Sequence, residues 1–359
     1  MRFDIAPDVR RARTPPAWLY TRPDVHAALV ERALARSWQF VPEADALAPP
    51  VRALPFTLLP GSLDEPLVLT RADDGKARCL SNVCTHRANV LLDEPSTADG
   101  LRCGYHGRRF ALDGRIQHAP GFDGVPDFPT PADDLREVPL RRLGPFTFVS
   151  LAPESDLDEH LGSLRERLAF LPLEALRLDP AGTLTFELDA NWLLYVENYL
   201  EGLHIPYVHP ALARAVDFAT YETVLYPRAS VQIAGASDGG PTLQPPPGHQ
   251  DHGRALAAYY VWLWPNTMLN FYPWGCSVNI VQPLGVARTR VLFQAWVAED
   301  SLRRRGAGSV LDTVELEDEA MVQRVQRGVR ARTYVRGRYA PRHEAGVHAF
   351  HRLLAAALD

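Results

Sequence analysis

Two short Cys/His segments constrain this chain more than any other feature of its sequence. The first is Cys84-x-His86 and the second is Cys103-x-x-His106, with sixteen residues between them. Each segment offers one thiolate and one imidazole on a short loop. A fold that brings the two loops together creates a four-ligand metal site. We therefore expect this part of the chain to be a small domain built around metal.

The four side chains fit one kind of metal site better than another. Two thiolates on one iron and two imidazoles on the other form the ligand set of a Rieske [2Fe–2S] cluster, with a potential of roughly −150 to +300 mV. A structural zinc site uses the same ligand types. Zinc sites usually pair Cys with Cys and His with His, whereas each loop here carries one of each. The spacing favours the cluster and leaves zinc as an alternative. Cys79 and Cys276 lie outside the motif and are expected to be buried apolar residues.

A second group of candidate site residues lies at Glu201, His204 and His209, of which the two histidines are candidate ligands. On a helix that starts near Trp192, Glu201 and His204 lie within about 60° of each other. His204 and His209 would lie about 140° apart on an unbroken helix and could not share a metal. Pro206 disfavours the helical state of the residue before it, so we expect the helix to end near His204. Two histidines at such a helix exit can supply two corners of a 2-His-1-carboxylate iron site. Two structural histidines are the alternative.

The third ligand must be a carboxylate from elsewhere, and a helix near the C-terminus supplies candidates. With Val314 at 0°, the apolar residues of this helix lie between about −20° and 80°, and Asp318 lies at about 40°. A carboxylate on a buried stripe is unfavourable unless something binds it. We therefore predict Asp318 as the ligand and Glu317 as the second candidate. A buried Asp paired with Arg is the alternative. Three further acidic residues are expected at the edge of the stripe or outside it: Asp312, Glu315 and Glu319.

Helix and strand signals divide the chain into three parts. Residues 1–40 are typical of a helical arm, with Pro23 at a first helical position. Residues 41–152 contain short strands and tight turns, which indicates an all-β unit. Residues 153–359 combine β-prone runs with helical patterns, so the whole chain is predicted to be α+β in two domains. Within the last part we expect a helix over 156–176, a β-prone run over 223–233, a loop or lid over 238–254, and helices over 310–329 and 343–358.

Composition excludes several classes of function. The formal net charge is −5, and no basic face is evident, so nucleic acid is not an expected partner. No run of about 18 apolar residues occurs, so no membrane span is expected. The first residues contain no apolar run long enough for a signal peptide. Four cysteines are too few for a disulfide scaffold of this length, and a cytoplasmic location is expected.

Together the two groups of ligands resemble the α subunits of Rieske non-haem iron oxygenases, over about residues 36–351. Glu201, His204 and His209 are similar to the family's acidic-x-x-His-x₄-His motif, and the segment around Asp318 is similar to its closing helix. The branch with choline, glycine-betaine and carnitine oxygenases shares Glu at the position of Glu201. The first loop departs from the family, with Thr85 where Pro is common and Ala88 where Gly is common.

The resemblance implies a Rieske domain over 41–152 joined to a helix-grip, START-like catalytic domain over 153–359. That domain has an antiparallel sheet and a long C-terminal helix, and the arm over 1–40 packs with it. Three chains form a ring, in which Glu201 bridges a cluster histidine of one subunit and His204 of the next and relays the electron. The implied ligands are Cys84, His86, Cys103 and His106 for the [2Fe–2S] cluster, and His204, His209 and Asp318 for the mononuclear Fe(II).

The implied activity uses O₂ and electrons from a separate NAD(P)H-dependent reductase or ferredoxin. It hydroxylates or oxidatively demethylates a small organic substrate such as a quaternary ammonium compound, which aromatic faces can bind by cation–π attraction. Two rivals are an aromatic ring-hydroxylating mono- or dioxygenase and a Rieske electron carrier fused to a ligand-binding domain, without oxygenase activity. Candidate pocket residues are Asn198, Trp264, the asparagine of the Leu269-Asn270 pair and Phe271, and the possible cage adds Trp262, Tyr272 and Trp274, with ordinary core residues as the alternative.

Overall fold

The computed structural model describes residues 2–237, 239–309 and 311–359, and the side chains of 311 and 312 are not described. The chain forms two compact units. The small unit comprises residues 38–153, and the large unit comprises residues 154–359 together with the chain up to residue 37. Among the described residues, no helix is long and apolar enough to cross a membrane.

The small unit is built from short antiparallel strands. Its strands β1 to β10 span Gln39–Phe40, Ala53–Leu58, Glu65–Arg71, Ala77–Ser81, Gly100–Arg102, Arg109–Ala111, Ile116–His118, Glu137–Val138, Leu140–Leu143 and Phe146–Val149. They form three sheets, in the orders β1-β10-β9, β2-β3-β4-β8 and β5-β6-β7. The first Cys/His loop follows β4, and the second connects β5 to β6. The β5-β6 hairpin fixes the ends of the second loop, and an isolated bridge between Val83 and Val90 closes the first.

The large unit contains one antiparallel sheet of seven strands. Strands β11 to β17 span Arg177–Leu188, Val216–Tyr226, Ala229–Ala236, Leu256–Leu263, Thr267–Tyr272, Gly275–Gly285 and Arg288–Val297. Their order is β11-β17-β16-β15-β14-β13-β12. The β-prone run over 223–233 belongs to two strands, because Pro227 and Arg228 form a turn between β12 and β13. Proline fixes its own φ and lacks an N–H donor, so it interrupts the run.

The helices of the large unit are α1 to α8. They span Pro23–Leu29, Leu157–Leu161, Leu164–Leu168, Trp192–Tyr199, Ile205–Val208, Pro210–Ala215, Leu311–Val329 and Ala345–Leu358. The single helix predicted over 156–176 is wrong, because Gly162 separates α2 from α3 with a φ of +53° that favours glycine. Val310, where the next predicted helix begins, lies outside the described residues.

The first residues of the chain are tied to its C-terminal part by hydrogen bonds. The Arg336 guanidinium donates to the carbonyls of Thr14 at 2.6 Å and Arg13 at 3.1 Å. His348 Nε2 lies 2.8 Å from the carbonyl oxygen of Ala6. The N-terminal arm is therefore part of the large unit.

Helix α7 packs on α4 through polar contacts that its apolar pattern does not reveal. The Gln326 side chain accepts the backbone N–H of Asn191 at 2.7 Å, and Tyr195 donates its hydroxyl to Glu315 at 2.6 Å. Both acceptors are buried, whereas Val325 is 49% exposed. The buried face of α7 is thus rotated by about 60° from the predicted stripe. The prediction that Glu315 lies at the edge of the stripe or outside it is wrong for this reason.

Candidate metal centres and substrate cavity

The two Cys/His loops of the small unit each contain a backbone turn of the same kind. The N–H of Ala88 donates to the carbonyl of Cys84 at 3.0 Å, and the N–H of Gly107 donates to that of Cys103 at 3.1 Å. Ala88 has a φ of +53° and Gly107 a φ of +74°. Each loop therefore turns back at a left-handed residue four positions after its cysteine.

The side chains of the two loops come together in like pairs. The His86 and His106 rings lie 4.7 Å apart. The Cys84 and Cys103 thiols are buried and close enough to influence each other's pKa. Burial raises the pKa of the Cys103 thiol, but the backbone N–H groups of Tyr105 and His106 outweigh it and lower that pKa. Two paired sulfurs and two paired imidazoles match a two-iron cluster that takes one pair on each iron.

A buried arginine locks the two loops to each other. Arg108 follows the second loop and donates from Nη1 to Thr85 Oγ1 at 2.9 Å. The Thr85 hydroxyl donates to the carbonyl of Asp133 at 2.7 Å. The Arg108 guanidinium also lies 4.7 Å above the Phe122 ring. Thr85 therefore links the first loop to Arg108 of the second.

We predict that Ala88→Gly stabilises the small unit. An L residue in the left-handed region destabilises the folded state by roughly 1–2 kcal/mol. Glycine removes this strain but also stabilises the unfolded chain by roughly 0.4–1 kcal/mol, because it increases its conformational entropy. The free energy of unfolding should therefore rise by about 0.5–1 kcal/mol. Denaturant titration followed by cluster absorbance measures it. Gly107→Ala, at the matching turn, is the control and should destabilise the unit; a stabilising Gly107→Ala would contradict the argument.

In the large unit, the segment after α4 turns sooner than predicted. The helix predicted to end near His204 ends at Tyr199. The Glu201 carboxylate accepts the backbone N–H groups of Leu203 and His204, which competes with continued helical bonding. A side chain at Gly202 would meet the Tyr221 ring at 2.7 Å, so the backbone passes close to this ring.

Three predicted ligands converge beyond this turn. His209 Nε2 lies 3.0 Å from Asp318 Oδ1, and His204 Nε2 lies 3.6 Å from the same oxygen. One atom from each of the three side chains falls within 4.8 Å of the others, a spacing that can hold a metal ion. The Asn198 amide donates to Asp318 Oδ1 at 2.6 Å. Asp318 and both histidines thus form a compact donor set of the 2-His-1-carboxylate type.

The opposite nitrogen of each histidine faces a further carboxylate. His204 Nδ1 lies 2.6 Å from Glu201 Oε1, and His209 Nδ1 lies 2.7 Å from Glu317 Oε2. Burial lowers the pKa of His209, but Asp318 and Glu317 outweigh it and raise that pKa. The carboxylates therefore favour positive charge here, and carboxylate–histidine pairs of this kind orient metal ligands. Glu317, the second candidate ligand, contacts the far side of His209.

Glu315 belongs to the same surroundings without joining the donor set. Burial raises the pKa of Glu315 to about 8, although the hydrogen bond from Tyr195 lowers it. Burial therefore favours the neutral form of this carboxyl group beside Asp318.

A cavity lies beside these side chains, between α4, α7 and the sheet. Among the described residues that line it, none is Lys or Arg, and tyrosines and amides predominate. Tyr199 donates its hydroxyl to Asn270 at 2.8 Å, so part of this polar lining is already paired. Besides the donor set, Glu201 and Glu315, the lining comprises Tyr195, Asn198, Tyr199, Ile205, Leu212, Tyr221, Gln232, Tyr260, Asn270, Tyr272, Asn279, Phe293, Ala307 and Val314.

Of the predicted pocket residues, the structure brings Asn198, Asn270 and Tyr272 to this cavity. Successive side chains on a strand point to opposite faces, so Phe271 faces away from the side of Asn270. Trp264 packs against Phe350, at a ring distance of 5.9 Å. Trp262 packs on the same ring, and Trp274 stacks on Tyr272 at 5.5 Å. Tyr221, Tyr260, Gln232 and Phe293 were missed, although strand alternation carries a signal for residues that share a face.

The described part of the 238–254 loop is held by hydrogen bonds and an ion pair to residues outside the cavity lining. Asp251 is buried, accepts the Tyr259 hydroxyl at 2.6 Å and pairs with Arg167 at 3.2 Å. His249 Nε2 lies 3.0 Å from the carbonyl of Arg167. No residue of 239–254 is among the described cavity lining, so the structure does not support a lid.

Comparison with known families agrees with the two metal centres. Residues 38–129 match the Rieske [2Fe–2S] domain, and residues 175–359 match the ring hydroxylating alpha subunit (catalytic domain). The chain belongs to the ring-hydroxylating oxygenase α subunits. This confirms the predicted α+β fold with a Rieske and a catalytic domain, and the predicted enzyme class of Rieske non-haem iron oxygenase. The zinc and electron-carrier alternatives are wrong, and this class of oxygenase uses a Rieske cluster, non-haem iron and O₂.

This α subunit is similar to several characterised proteins over nearly its whole length. It is 29% identical to choline monooxygenase of Arabidopsis thaliana, covering 98% of this chain and 84% of that protein. It is 27% identical to the carnitine monooxygenase oxygenase subunit of Escherichia coli (strain K12), covering 96% and 94%. A quaternary ammonium Rieske monooxygenase with bound L-carnitine has the same fold, with 23% identity, a TM-score of 0.77 and 99% and 100% coverage. Naphthalene 1,2-dioxygenase from Rhodococcus sp. also shares it, with 19% identity, a TM-score of 0.73 and 96% and 94% coverage.

Proposed function

We propose that this oxygenase oxidises a small quaternary ammonium compound at an iron bound by His204, His209 and Asp318. The observation that carries the proposal is the convergence of these three side chains at the edge of a tyrosine-lined cavity. The similarity to choline and carnitine monooxygenases supports the substrate class.

The lining of the cavity suits a cation. Tyr221, Tyr260, Tyr272 and Phe293 present aromatic rings to it, and ring faces attract ammonium groups. Burial raises the pKa of Tyr221, Tyr260 and Tyr272, so their phenols stay neutral. Among the described lining residues no side chain offers a positive charge to a substrate carboxylate. A substrate with a positive and no negative group matches this lining.

The surrounding side chains prepare the iron site. Glu201 and Glu317 hold the Nδ1 atoms of His204 and His209, which directs each Nε2 towards Asp318. Three protein ligands leave positions free for other molecules. When bound, the iron supplies O₂ activation, with electrons delivered by the Rieske cluster. Asn198 holds one oxygen of Asp318 and thereby restricts how that carboxylate can turn.

We further propose that Cys84, His86, Cys103 and His106 bind the cluster, and that a separate NAD(P)H-dependent reductase or ferredoxin reduces it. Glu201 would link His204 to a cluster histidine of a neighbouring subunit in a ring of three chains. A report of inter-subunit electron transfer in a quaternary ammonium Rieske monooxygenase of the same fold supports this arrangement. The four described cysteines are free and buried, which fits a reducing compartment such as the cytoplasm.

The test is a substrate panel with a surrogate reductase. Choline, which lacks a carboxylate, should be oxidised faster than glycine betaine, carnitine and γ-butyrobetaine, because the described cavity offers no cation to a carboxylate. O₂ consumption, formaldehyde release and product mass identify the oxidised carbon. Naphthalene and indole are the controls for the rival activity. A diol or phenol from these rings, with no product from any ammonium compound, would reject the proposed substrate class.

A further inference from the structure

The outer face of the sheet β5-β6-β7 carries a row of basic side chains. Arg102 on β5 lies opposite Arg109 on β6, and Arg109 lies opposite His118 on β7. Their neighbours Leu101 and Phe110 point to the inner face and are buried. Arg102, Arg109 and His118 are exposed, and we call them the basic row.

The basic row lacks a counter-charge in the part of the chain that the structure describes. Arg52, Arg78 and Arg115 of the same unit pair with aspartates, whereas no ion pair is formed by Arg102 or Arg109. Like charges directly opposite each other on neighbouring strands destabilise a sheet. The chain as a whole carries a net charge of −5, so this cluster of positive charge is a local feature. A contribution to the stability of the sheet does not explain it.

The position of the row relates it to the second Cys/His loop. Strand β5 ends at Arg102 and β6 begins at Arg109, so the two arginines form the last pair before the loop. That loop carries Cys103 and His106. Paired Cα atoms on antiparallel strands lie only about 5 Å apart. A protein that docks on the basic row would therefore lie at the base of the loop.

We propose that the basic row is the docking surface for the electron donor, a small iron–sulfur protein with an acidic face. This rests on the proposed function, in which a separate protein reduces the cluster. The donor loses one electron, and the cluster gains it. Opposed arginines at the spacing of neighbouring strands attract carboxylates, and complementary charges speed association and set orientation.

The test uses the full-length holoenzyme and an acidic [2Fe–2S] ferredoxin that has been reduced beforehand. Stopped-flow absorbance follows reduction of the Rieske cluster at low and high salt. Arg102→Gln with Arg109→Gln should slow the second-order rate at low salt by at least about tenfold and reduce its salt dependence. Arg115→Gln, whose arginine pairs with Asp113, is the matched control and should react as the unchanged protein does.

Two further measurements separate docking from folding. Arg102→Lys with Arg109→Lys keeps the charges and should keep the fast, salt-sensitive rate. A photoreduced deazaflavin should reduce all variants equally, and the double Gln variant should not melt at a lower temperature. Rates and salt slopes that are the same in the double Gln variant and the unchanged protein would overturn the proposal.

Other results point elsewhere. A change of oligomeric state in the double Gln variant, seen by size-exclusion chromatography, would assign the row to contact between copies of this chain and overturn donor docking. Failure of the proposed substrate class is distinguishable, because turnover of ammonium compounds by chemically reduced enzyme does not involve docking. If that turnover is absent while the ferredoxin rates still depend on the row, only the substrate proposal fails.

Discussion

Asp318→Asn should empty the mononuclear iron site and leave the Rieske cluster in place. Iron content should fall from about three to about two atoms per chain, because only the large-unit site loses a ligand. An amide oxygen carries no charge and cannot balance a divalent ion beside His204 and His209. Substrate oxidation should fall below detection, while the absorption spectrum of the cluster stays unchanged.

The adjacent carboxylate provides the matched control. Glu317 contacts His209 Nδ1 at 2.7 Å, on the far side of the ring from Asp318. Glu317→Gln should therefore retain iron but weaken its binding by roughly 10–100-fold, the usual effect of losing an outer partner of a metal ligand. Iron titration of the apoprotein measures both variants. If Glu317→Gln empties the site and Asp318→Asn does not, the assignment of the ligand is reversed.

Glu201→Gln should keep about three irons per chain and lose most turnover, by at least about 10–100-fold. The Glu201 carboxylate accepts from two backbone N–H groups and contacts His204 Nδ1. An amide has one acceptor oxygen, so it cannot hold these donors and also receive a histidine of the partner subunit. Steady-state turnover, with iron content and cluster spectrum as controls, measures the effect. Turnover equal to that of the unchanged protein would remove Glu201 from the link.

Mixed assemblies test the inter-subunit link directly. Asp318→Asn chains should lack the mononuclear iron, and Cys103→Ser chains should lack an intact cluster. Neither should be active alone. Mixed assemblies that regain activity would show that an electron passes from the cluster of one chain to the iron of another. If mixed assemblies remain inactive although both chains are present, the link within the ring is wrong.

The candidate ligand residues can be identified from sequence because most of them form short-range patterns. The spacing of Cys84, His86, Cys103 and His106 limits the donor set before any fold is known. Pro206 predicted a break between His204 and His209, although the helix ends earlier than expected. Glu201 was recognised only through the family resemblance.

The helical pattern that points to Asp318 describes α7 incompletely. It places Asp318 in the middle of an apolar stripe, but the buried face of α7 is centred nearer Glu315 and Gln326. One oxygen of each buried side chain is paired, with the Tyr195 hydroxyl for Glu315 and the backbone N–H of Asn191 for Gln326. The hydrophobic pattern of one helix cannot reveal these two hydrogen bonds, because the two residues of each bond are more than 100 positions apart in the chain.

The sequence by itself determined the α+β class and identified the candidate residues of both metal centres, because fixed spacings and a proline act within a few residues. Only the tertiary structure decided which carboxylate meets the two histidines, which contacts the far side of His209, and which tyrosines line the cavity. It also showed that the Cys and His side chains of the small unit meet as like pairs. These contacts depend on how strands and helices that are distant in sequence pack together. For the cavity in particular, they depend on which face of each strand points towards α4 and α7.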